Sequence, residues 1–214
     1  MSEEIAVQTP TVAPENLIGQ VLPEEGAWLR QAARAVPAGQ VIVELGSYTG
    51  KSTCCLAVGS GEGNKVPVYA VDLWTTGTYE EETHRFYQYD PGSGETQRNS
   101  KFSRPPAREL FEERCALYDP DGLIRPIIGL STRIAAVFDQ PIGLLFIDAD
   151  HTYEAVKADF EAWAPKVLGV VAFHDYAGKP EHHGVKRFVA EAVLGHGWHE
   201  VAQVASLLGV MRDA

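Results

Sequence analysis

Short apolar runs that alternate with helical segments are the feature that most constrains how this chain can fold. The runs predicted as strands are rich in β-branched residues and lie at 41–45, 66–71, 123–128, 142–147 and 167–173. Periodicity and end signals predict helices at 23–35, from Ser52 onward, and at 108–118, 132–138, 153–163 and 185–194. Two further apolar runs within 199–211 predict a strand pair. Strands that alternate with helices favour a mostly parallel sheet covered on both faces, so an α/β fold is expected.

The chain has 214 residues, which is long enough for one α/β domain with a sizeable core and short for two. Residues 1–15 are polar and contain prolines, so we expect a flexible N-terminal tail before a single domain at 16–214. Residues 74–106 do not follow the alternation of strands and helices. A loop of that length is usually a functional lid or partly disordered. We therefore predict a lid or acceptor loop there, with a plain surface loop as the alternative.

Charge and composition narrow the class of protein and of partner. The formal net charge of -11 repels phosphate backbones, so nucleic acid is not an expected partner. No apolar run approaches the length of a membrane span, and the N-terminus lacks the layout of a signal peptide. These features predict a cytoplasmic protein without membrane contacts. The cysteines lack metal-binding spacing and fit buried thiols in a reducing compartment: Cys54, Cys55 and Cys115.

A glycine-bearing turn follows the first predicted strand, in the sequence ELGSYTGKS at residues 44–52. A phosphate-binding P-loop requires four residues between its glycines, whereas three separate Gly46 from Gly50. A carboxylate at Glu44 would also oppose a polyphosphate, and the G-x-G-x-x-G pattern of dinucleotide sites is not matched. The turn does suit S-adenosylmethionine, because glycines let the backbone approach the amino-acid part of this methyl donor. Glu44 suits the sulfonium and ammonium charges of the same ligand.

Asp72 supports a nucleoside site next to this turn. It ends the second predicted strand, 22 residues after Gly50. An acid at that position can accept hydrogen bonds from both hydroxyls of a ribose. The alternative is that Asp72 caps a turn, but its spacing favours the ribose role.

Acids and histidines follow the fourth and fifth predicted strands and form a second candidate site. Asp148 and His151 follow the fourth strand, and His174 and Asp175 follow the fifth. Neighbouring parallel strands end at the same edge of a sheet, so these side chains can converge on one divalent cation. We expect Mg²⁺, with Asp148, His174 and Asp175 as its ligands. Two alternatives stay open: the acids cap the following helix, or His174 and Asp175 point apart, as adjacent strand residues do.

Four motifs occur in one order within residues 38 to 190: E-L-G-x-x-x-G-x-S, D-x-W, F-I-D-A-D-H-x-Y-x-x-V-x-x-D and F-H-D-Y. Together they resemble the class I S-adenosylmethionine-dependent methyltransferases. Within that class they resemble the small branch of macrolide-sugar O-methyltransferases and cephalosporin-pathway enzymes. In size and motif layout the chain also resembles the 1-O-methyltransferases of methylmannose polysaccharide assembly. The resemblance implies a Rossmann-like, mostly parallel seven-stranded sheet that ends in an antiparallel hairpin.

The resemblance also assigns roles to residues. It implies S-adenosylmethionine as the cofactor, bound by Glu44, Gly46, Ser47, Tyr48, Gly50, Ser52, Asp72, Leu73, Ser131 and Asp148, with Ser131 near the adenine. His151 matches the general base of the D-x-x-H motif, and Asp148, the acid of that motif, is the second expected catalytic residue. Metal-dependent members carry acids at the strand ends. His174 departs from that pattern, which leaves its role and the identity of the metal open.

The expected reaction is a metal-assisted O-methylation of a sugar or a sugar-bearing metabolite. The donor is already activated, so the protein must mainly position the acceptor hydroxyl and remove its proton. The acceptor is then a small molecule or an oligosaccharide, and a homodimer is compatible with the sequence. One alternative is a methyltransferase of catechol-type phenols. Another is a non-catalytic S-adenosylmethionine-binding module, which the cluster of acids and histidines disfavours.

Overall fold

The computed structural model of the chain describes residues 10–74, 78–80, 85–90, 95–98, 107–177 and 183–213. The helices are α1 (Pro23–Arg34), α2 (Lys51–Glu62), α3 (Ala107–Tyr118), α4 (Ser131–Ala135), α5 (Tyr153–Trp163) and α6 (His183–Ala192). The strands are β1 (Val41–Leu45), β2 (Val68–Asp72), β3 (Thr78–Glu80), β4 (Arg85–Asp90), β5 (Glu95–Arg98), β6 (Ile124–Ile128), β7 (Ile142–Ile147), β8 (Val167–Phe173), β9 (Trp198–Val204) and β10 (Leu207–Arg212). Within these ranges, no helix combines the length and the apolar character needed to cross a membrane.

Seven strands form one sheet in the order β6–β2–β1–β7–β8–β10–β9. The pairings among β6, β2, β1, β7 and β8 are parallel, whereas β10 is antiparallel to both β8 and β9. This confirms the predicted α/β fold, with its mostly parallel seven-stranded sheet and its antiparallel C-terminal hairpin. The strand order reverses between β1 and β7. Ligands of such sheets bind at this switch point, beyond the carboxyl ends of the strands.

Apolar residues on both faces of the central strands explain why the sheet is covered on both sides. Successive side chains of a strand point to opposite faces. Val43 of β1 therefore packs in one cluster with Trp163 of α5, whereas Ile42 packs in another with Leu29 of α1. Every residue of β7 is buried, as expected for a strand at the centre of a parallel sheet.

Residues 74–106, which we predicted as a loop, contain three of the strands. β3, β4 and β5 form a separate antiparallel sheet in that order. The prediction missed these strands because it relied on apolar periodicity, and the sequences RFYQYD and ETQR do not alternate apolar with polar residues. Main-chain pairing does not require an apolar face. The role of the segment as a lid stays a prediction.

Two of the predicted boundaries, the start of β2 and the end of the N-terminal tail, differ from those in the structure. β2 begins at Val68 rather than at residue 66, because Pro67 lacks the N–H that a central strand donates. Residues 1–9 of the predicted tail lie outside the described part of the chain. Just beyond them, Pro14 is buried and the Tyr118 hydroxyl donates a hydrogen bond of 2.8 Å to the Val12 carbonyl. The chain therefore contacts the domain from Val12 onward.

Candidate active site

Gly46 brings the turn after β1 into direct contact with the end of β7. Its φ is +86°, and a Cβ at this position would lie 2.2 Å from the carbonyl oxygen of Asp148. The N–H of Gly46 donates to Val71 at 2.9 Å, and the N–H of Asp148 donates to Leu45 at 2.9 Å. Only glycine combines this conformation with this closeness. The backbone at the switch point is thereby fixed from both sides.

Glu44 lies beneath the turn and supports it. Its side chain is fully buried and accepts hydrogen bonds from the hydroxyls of Ser47, at 2.7 Å, and Thr53. Burial raises the pKa of this carboxyl to about 7, against the opposing effect of the hydroxyl hydrogen bonds. Glu44 thus contacts the turn and the first residues of α2. Its contact with the charges of a donor stays a prediction.

Asp72 also holds the turn, from the end of β2. One carboxylate oxygen accepts hydrogen bonds from the backbone N–H groups of Ser47 and Tyr48, both at 2.8 Å, and the other accepts one from Trp74 at 2.6 Å. This is the turn cap that the sequence left open as the alternative. The role of Asp72 towards a ribose stays a prediction. Leu73, which follows it, is exposed.

A shallow cleft opens beside this turn. Five of the residues predicted to bind the donor line it: Gly46, Ser47, Tyr48, Ser52 and Asp148. Sequence reasoning missed five others: Gly19, Gln20, Val21, Thr49 and Lys51. Thr49 and Lys51 belong to the motif and could have been found there, whereas nothing in residues 19–21 signalled this position. Gly50 turns the chain into α2 with a φ of +81°, and a Cβ there would lie 2.8 Å from a ring carbon of Phe111.

Ser131 is the first residue of α4, and it donates a hydrogen bond to the carboxylate of Asp159 on α5. Burial raises the pKa of Asp159 to about 6. Ser131 is not one of the residues that line the described cleft. Its predicted position near an adenine stays a prediction.

The predicted metal-ligating residues and His151 come together at the ends of β7 and β8. Asp148, His151, His174 and Asp175 each offer one ligand atom, and these atoms lie within 4.8 Å of one another. Nε2 of His151 lies 3.0 Å from a carboxylate oxygen of Asp175 and 3.5 Å from one of Asp148. Nδ1 of His174 lies 3.0 Å from Asp148 and 3.4 Å from Asp175. We call these four residues the acid–histidine cluster.

The backbone conformation of Asp175 rules out the alternative that the side chains of His174 and Asp175 point apart. Adjacent residues diverge on a regular strand. Asp175 lies just past the end of β8 and has a φ of +57°, in the left-handed region. This conformation leaves the strand geometry, and both side chains meet in the cluster. A non-glycine residue with positive φ is uncommon and is often found at functional sites.

The two carboxylates of the cluster keep both imidazoles protonated near neutral pH. Burial alone lowers the pKa of His151, but hydrogen bonds with Asp148 and Asp175 outweigh it and raise the pKa to about 9. The same balance, with Asp148 as the main partner, raises the pKa of His174 to about 12. Conversely, burial raises the pKa of Asp175, and the hydrogen bonds of the two histidines bring it well below its ordinary range.

Glu25 is the residue of this region that sequence reasoning missed. It lies in the first turn of α1 and is fully buried. Its carboxylate lies 3.1 Å from Nε2 of His174 and accepts hydrogen bonds from the N–H and the hydroxyl of Ser206, at 2.9 and 2.7 Å. The acids early in α1 were visible in the sequence, but a contact with a residue 149 positions away was not. Glu25 fixes which nitrogen of His174 faces the cluster.

The cluster fits a divalent cation. Two carboxylates and an imidazole on one edge of the sheet are the oxygen and nitrogen donors that such ions take. His174 can offer only Nδ1, because Glu25 occupies Nε2. Histidines that bind a metal through one ring nitrogen commonly donate a hydrogen bond from the other ring nitrogen to a carboxylate. Asp148, Asp175 and Nδ1 of His174 would hold the ion.

The raised pKa of His151 gives a test that needs no substrate. A pKa of about 9 in the folded state means that protonated His151 stabilises the fold below about pH 6.5, and this contribution is lost as the pH rises through about 9. In the presence of a chelator, we expect His151 to account for a fall of on the order of 1 to 2 kcal/mol in the free energy of unfolding between pH 7 and pH 9.5, in addition to the fall that the raised pKa of His174 causes. Urea titrations at several pH values measure this. The decline should shrink in His151→Gln and persist in His199→Gln, which changes an exposed histidine. Equal declines in all three proteins would contradict the assignment.

A family model described as "Methyltransferase domain" matches residues 43–176 of the chain. A curated relative, the uncharacterized protein y4gI of Sinorhizobium fredii, is 33% identical over 174 residues, which are 78% of this chain and 16% of that protein. The chain therefore spans only a small part of the length of this relative.

Solved structures with the same fold include enzymes from bacteria. The O-methyltransferase TomG from Streptomyces achromogenes, in complex with SAM, has a TM-score of 0.60 and 16% identity over 91% of this chain and 82% of its own. The O-methyltransferase from Bacillus cereus, in complex with SAH, has a TM-score of 0.58 and 17% identity over 90% of this chain and 83% of its own. The calicheamicin methyltransferase CalS11 has a TM-score of 0.58 and 18% identity over 87% of this chain and 76% of its own. At these identities, the likeness shows the fold.

Proposed function

Because the chain belongs to the methyltransferase-domain family, we propose that it is a metal-assisted O-methyltransferase that uses S-adenosylmethionine and methylates a hydroxyl of a sugar or sugar-bearing metabolite. One observation carries this proposal. Asp148 lines the cleft beside the glycine turn and also belongs to the acid–histidine cluster. A donor in the cleft and an acceptor at the cluster would meet at this residue. O-methyltransferases are also among the proteins that share the fold.

The donor side of this proposal rests on the glycine turn. S-adenosylmethionine supplies a methyl group that its sulfonium already activates. To bind this ligand, the backbone must approach it closely, and Gly46 allows this because it has no side chain. An acid must also face the positive part of the ligand, and Asp148 is such an acid in the lining of the cleft. Glu44 supports the turn from beneath, and Asp72 holds it from the end of β2. A rigid turn positions the methyl group in advance, which is the main requirement of an in-line transfer.

The acceptor side rests on the cluster. A sugar hydroxyl is a poor nucleophile, and His151 is the group we assign to take its proton at Nε2. It can accept a proton only when neutral, and the carboxylates of Asp148 and Asp175 favour its charged form. A divalent ion, when bound, supplies positive charge that offsets these carboxylates and lowers the pKa of a hydroxyl beside it. The proposed role of His151 as the base therefore depends on the proposed metal ion, whose charge would favour neutral His151.

A methyl-transfer assay tests the proposal directly. The protein is incubated with labelled S-adenosylmethionine and a panel of sugars and catechols, with and without a chelator, and with Mg²⁺ or Mn²⁺ restored. We expect transfer to a sugar hydroxyl that the chelator abolishes and the metal restores. Transfer that the chelator does not reduce would overturn the metal assignment, and transfer to catechols alone would overturn the sugar assignment. Donor binding without transfer to any member of a broad panel would favour a binding module.

His151 provides the matched test of the base. We expect His151→Gln to lower kcat by about 10²- to 10⁴-fold, because the acceptor proton then has no side chain to receive it. Binding of S-adenosylhomocysteine should change little. His199→Gln is the control, since His199 is exposed and pairs with Asp213 away from the cluster. Full activity in His151→Gln would remove it as the base.

A further inference from the structure

Lys51 is a buried cation in the wall of the cleft for which the proposed mechanism has no use. It is the first residue of α2 and is only 7% exposed. Its aliphatic stem packs on Gly19, where a Cβ would lie 2.8 Å from Cδ of the lysine. Burial lowers the pKa of Lys51, because the charged form has lost water. A lysine side chain with this degree of burial is unfavourable in its charged form unless its ammonium group meets an anion or water.

Within the described ranges, that anion is not a side chain. Lys51 forms none of the ion pairs found among these residues. It is also the one cationic side chain among the residues that line the described cleft. The carboxylates of Glu24 and Glu25 act on Lys51 only through space. Lys51 therefore lines the cleft without an anionic side chain paired to it among the described residues.

Two neighbouring features favour an anion at the same place. α2 begins at Lys51 without a side-chain cap, so its N-terminal N–H groups and helix dipole face the end of the cleft. Arg114 joins the two walls of the cleft: it donates hydrogen bonds to Thr49 at 2.8 and 2.9 Å, and to the carbonyl of Ile18 at 2.8 Å. Arg114 thus holds residues 18–21 next to the turn while its own donors are occupied.

We propose that Lys51 binds the carboxylate of the methionyl group of the donor and so selects for a donor with an intact amino-acid end. This rests on the proposed function. Such a donor carries one carboxylate and two positive groups. The lining of the cleft includes one cation, Lys51, and one acid, Asp148. The carboxylate would lie at the start of α2, and the positive groups would lie towards Asp148 and the cluster.

Ligand binding by calorimetry separates this role from a structural one. The probes are S-adenosylhomocysteine and its decarboxylated form, which keeps the amine and lacks the carboxylate. In Lys51→Met we expect the Kd of S-adenosylhomocysteine to rise by about 10- to 100-fold, as for loss of a hydrogen bond to a charged group. The Kd of the decarboxylated form should change less than about twofold, because it has no group for Lys51 to bind. Lys51→Arg should recover most of the affinity, since it restores the charge.

The controls distinguish the possible failures. Lys65→Met removes a surface lysine whose side chain is 59% exposed and should leave both Kd values unchanged. Equal weakening of both ligands by Lys51→Met would mean that Lys51 only supports the fold of the cleft, and no change in either would mean that it does not meet the ligand. Both results overturn the inference while leaving donor binding intact. Failure of the wild-type protein to bind either ligand would instead overturn the proposed function.

Discussion

Replacing Gly46 with alanine is expected to lower the free energy of unfolding by about 3 to 5 kcal/mol and to abolish donor binding. A Cβ at this position would lie 2.2 Å from the Asp148 carbonyl oxygen and within 2.8 Å of backbone atoms of Asp148 and Ala149. Backbone cannot move aside as the end of a flexible side chain can. The ends of β1 and β7 would have to separate, and the cleft and the acid–histidine cluster depend on their contact.

Gly39 provides the matched control for this variant. It has the same φ of +86°, but a Cβ there would meet nothing within 4 Å. Gly39→Ala therefore carries the conformational strain alone, about 1 kcal/mol. Urea denaturation of both variants measures the difference, and calorimetry with S-adenosylhomocysteine measures binding. Similar losses in the two variants would mean that φ, and not crowding against Asp148, makes glycine necessary at position 46.

The central strands and α5 were predictable because their signals are local. The predicted bounds of β1, β7, α5 and β8 agree with the structure residue for residue. Each of these strands is a mostly apolar run bounded by polar, glycine or proline residues, because a strand buried on both faces carries mainly apolar side chains; Glu44 in β1 is the polar exception, and its carboxylate accepts hydrogen bonds from Ser47 and Thr53. The edge elements were less well predicted. α4 ends at Ala135, and the chain continues to Phe138 only through tighter turns.

The residues of the candidate site could be predicted from the sequence, but the contacts between them could not. Polar residues at strand ends mark the edge where ligands bind, and the structure brings Asp148, His151, His174 and Asp175 together there. Whether His174 and Asp175 would face the same way depended on the φ of Asp175, which residue types do not reveal. Lys51 was visible in the motif, but its burial depends on Gly19, 32 positions earlier in the chain. Contacts between distant segments are decided by packing.

Glu25 is the clearest example, and its replacement is the second large effect that we expect. Glu25→Gln should lower the free energy of unfolding by about 3 kcal/mol at neutral pH, because a buried charged partner of His174 is lost. The glutamine oxygen can still accept hydrogen bonds from Ser206. Its amide N–H groups, however, would then face the protonated Nε2 of His174, and two donors would oppose each other. Glu24→Gln, one residue earlier on the exposed side of α1, should change stability by less than about 0.5 kcal/mol.

A double-mutant cycle tests whether Glu25 acts through His174. We measure the free energy of unfolding of Glu25→Gln, His174→Gln and the double variant at pH 7, and again at pH 4. If the two residues form one pair, the double variant loses much less than the sum of the single losses. The loss in Glu25→Gln should also shrink at the lower pH. Burial raises the pKa of Glu25, but the hydrogen bonds from His174, Ser206 and the N–H of Leu22 together lower it, so the wild-type carboxylate loses its stabilising contribution as the pH falls through this pKa. Additive losses at both pH values would mean that Glu25 supports only Ser206 and the N-terminus of α1, where its carboxylate accepts a hydrogen bond of 2.8 Å from the N–H of Leu22. His174 would then have no fixed outer partner, and its assignment as a metal ligand through Nδ1 would lose its structural basis.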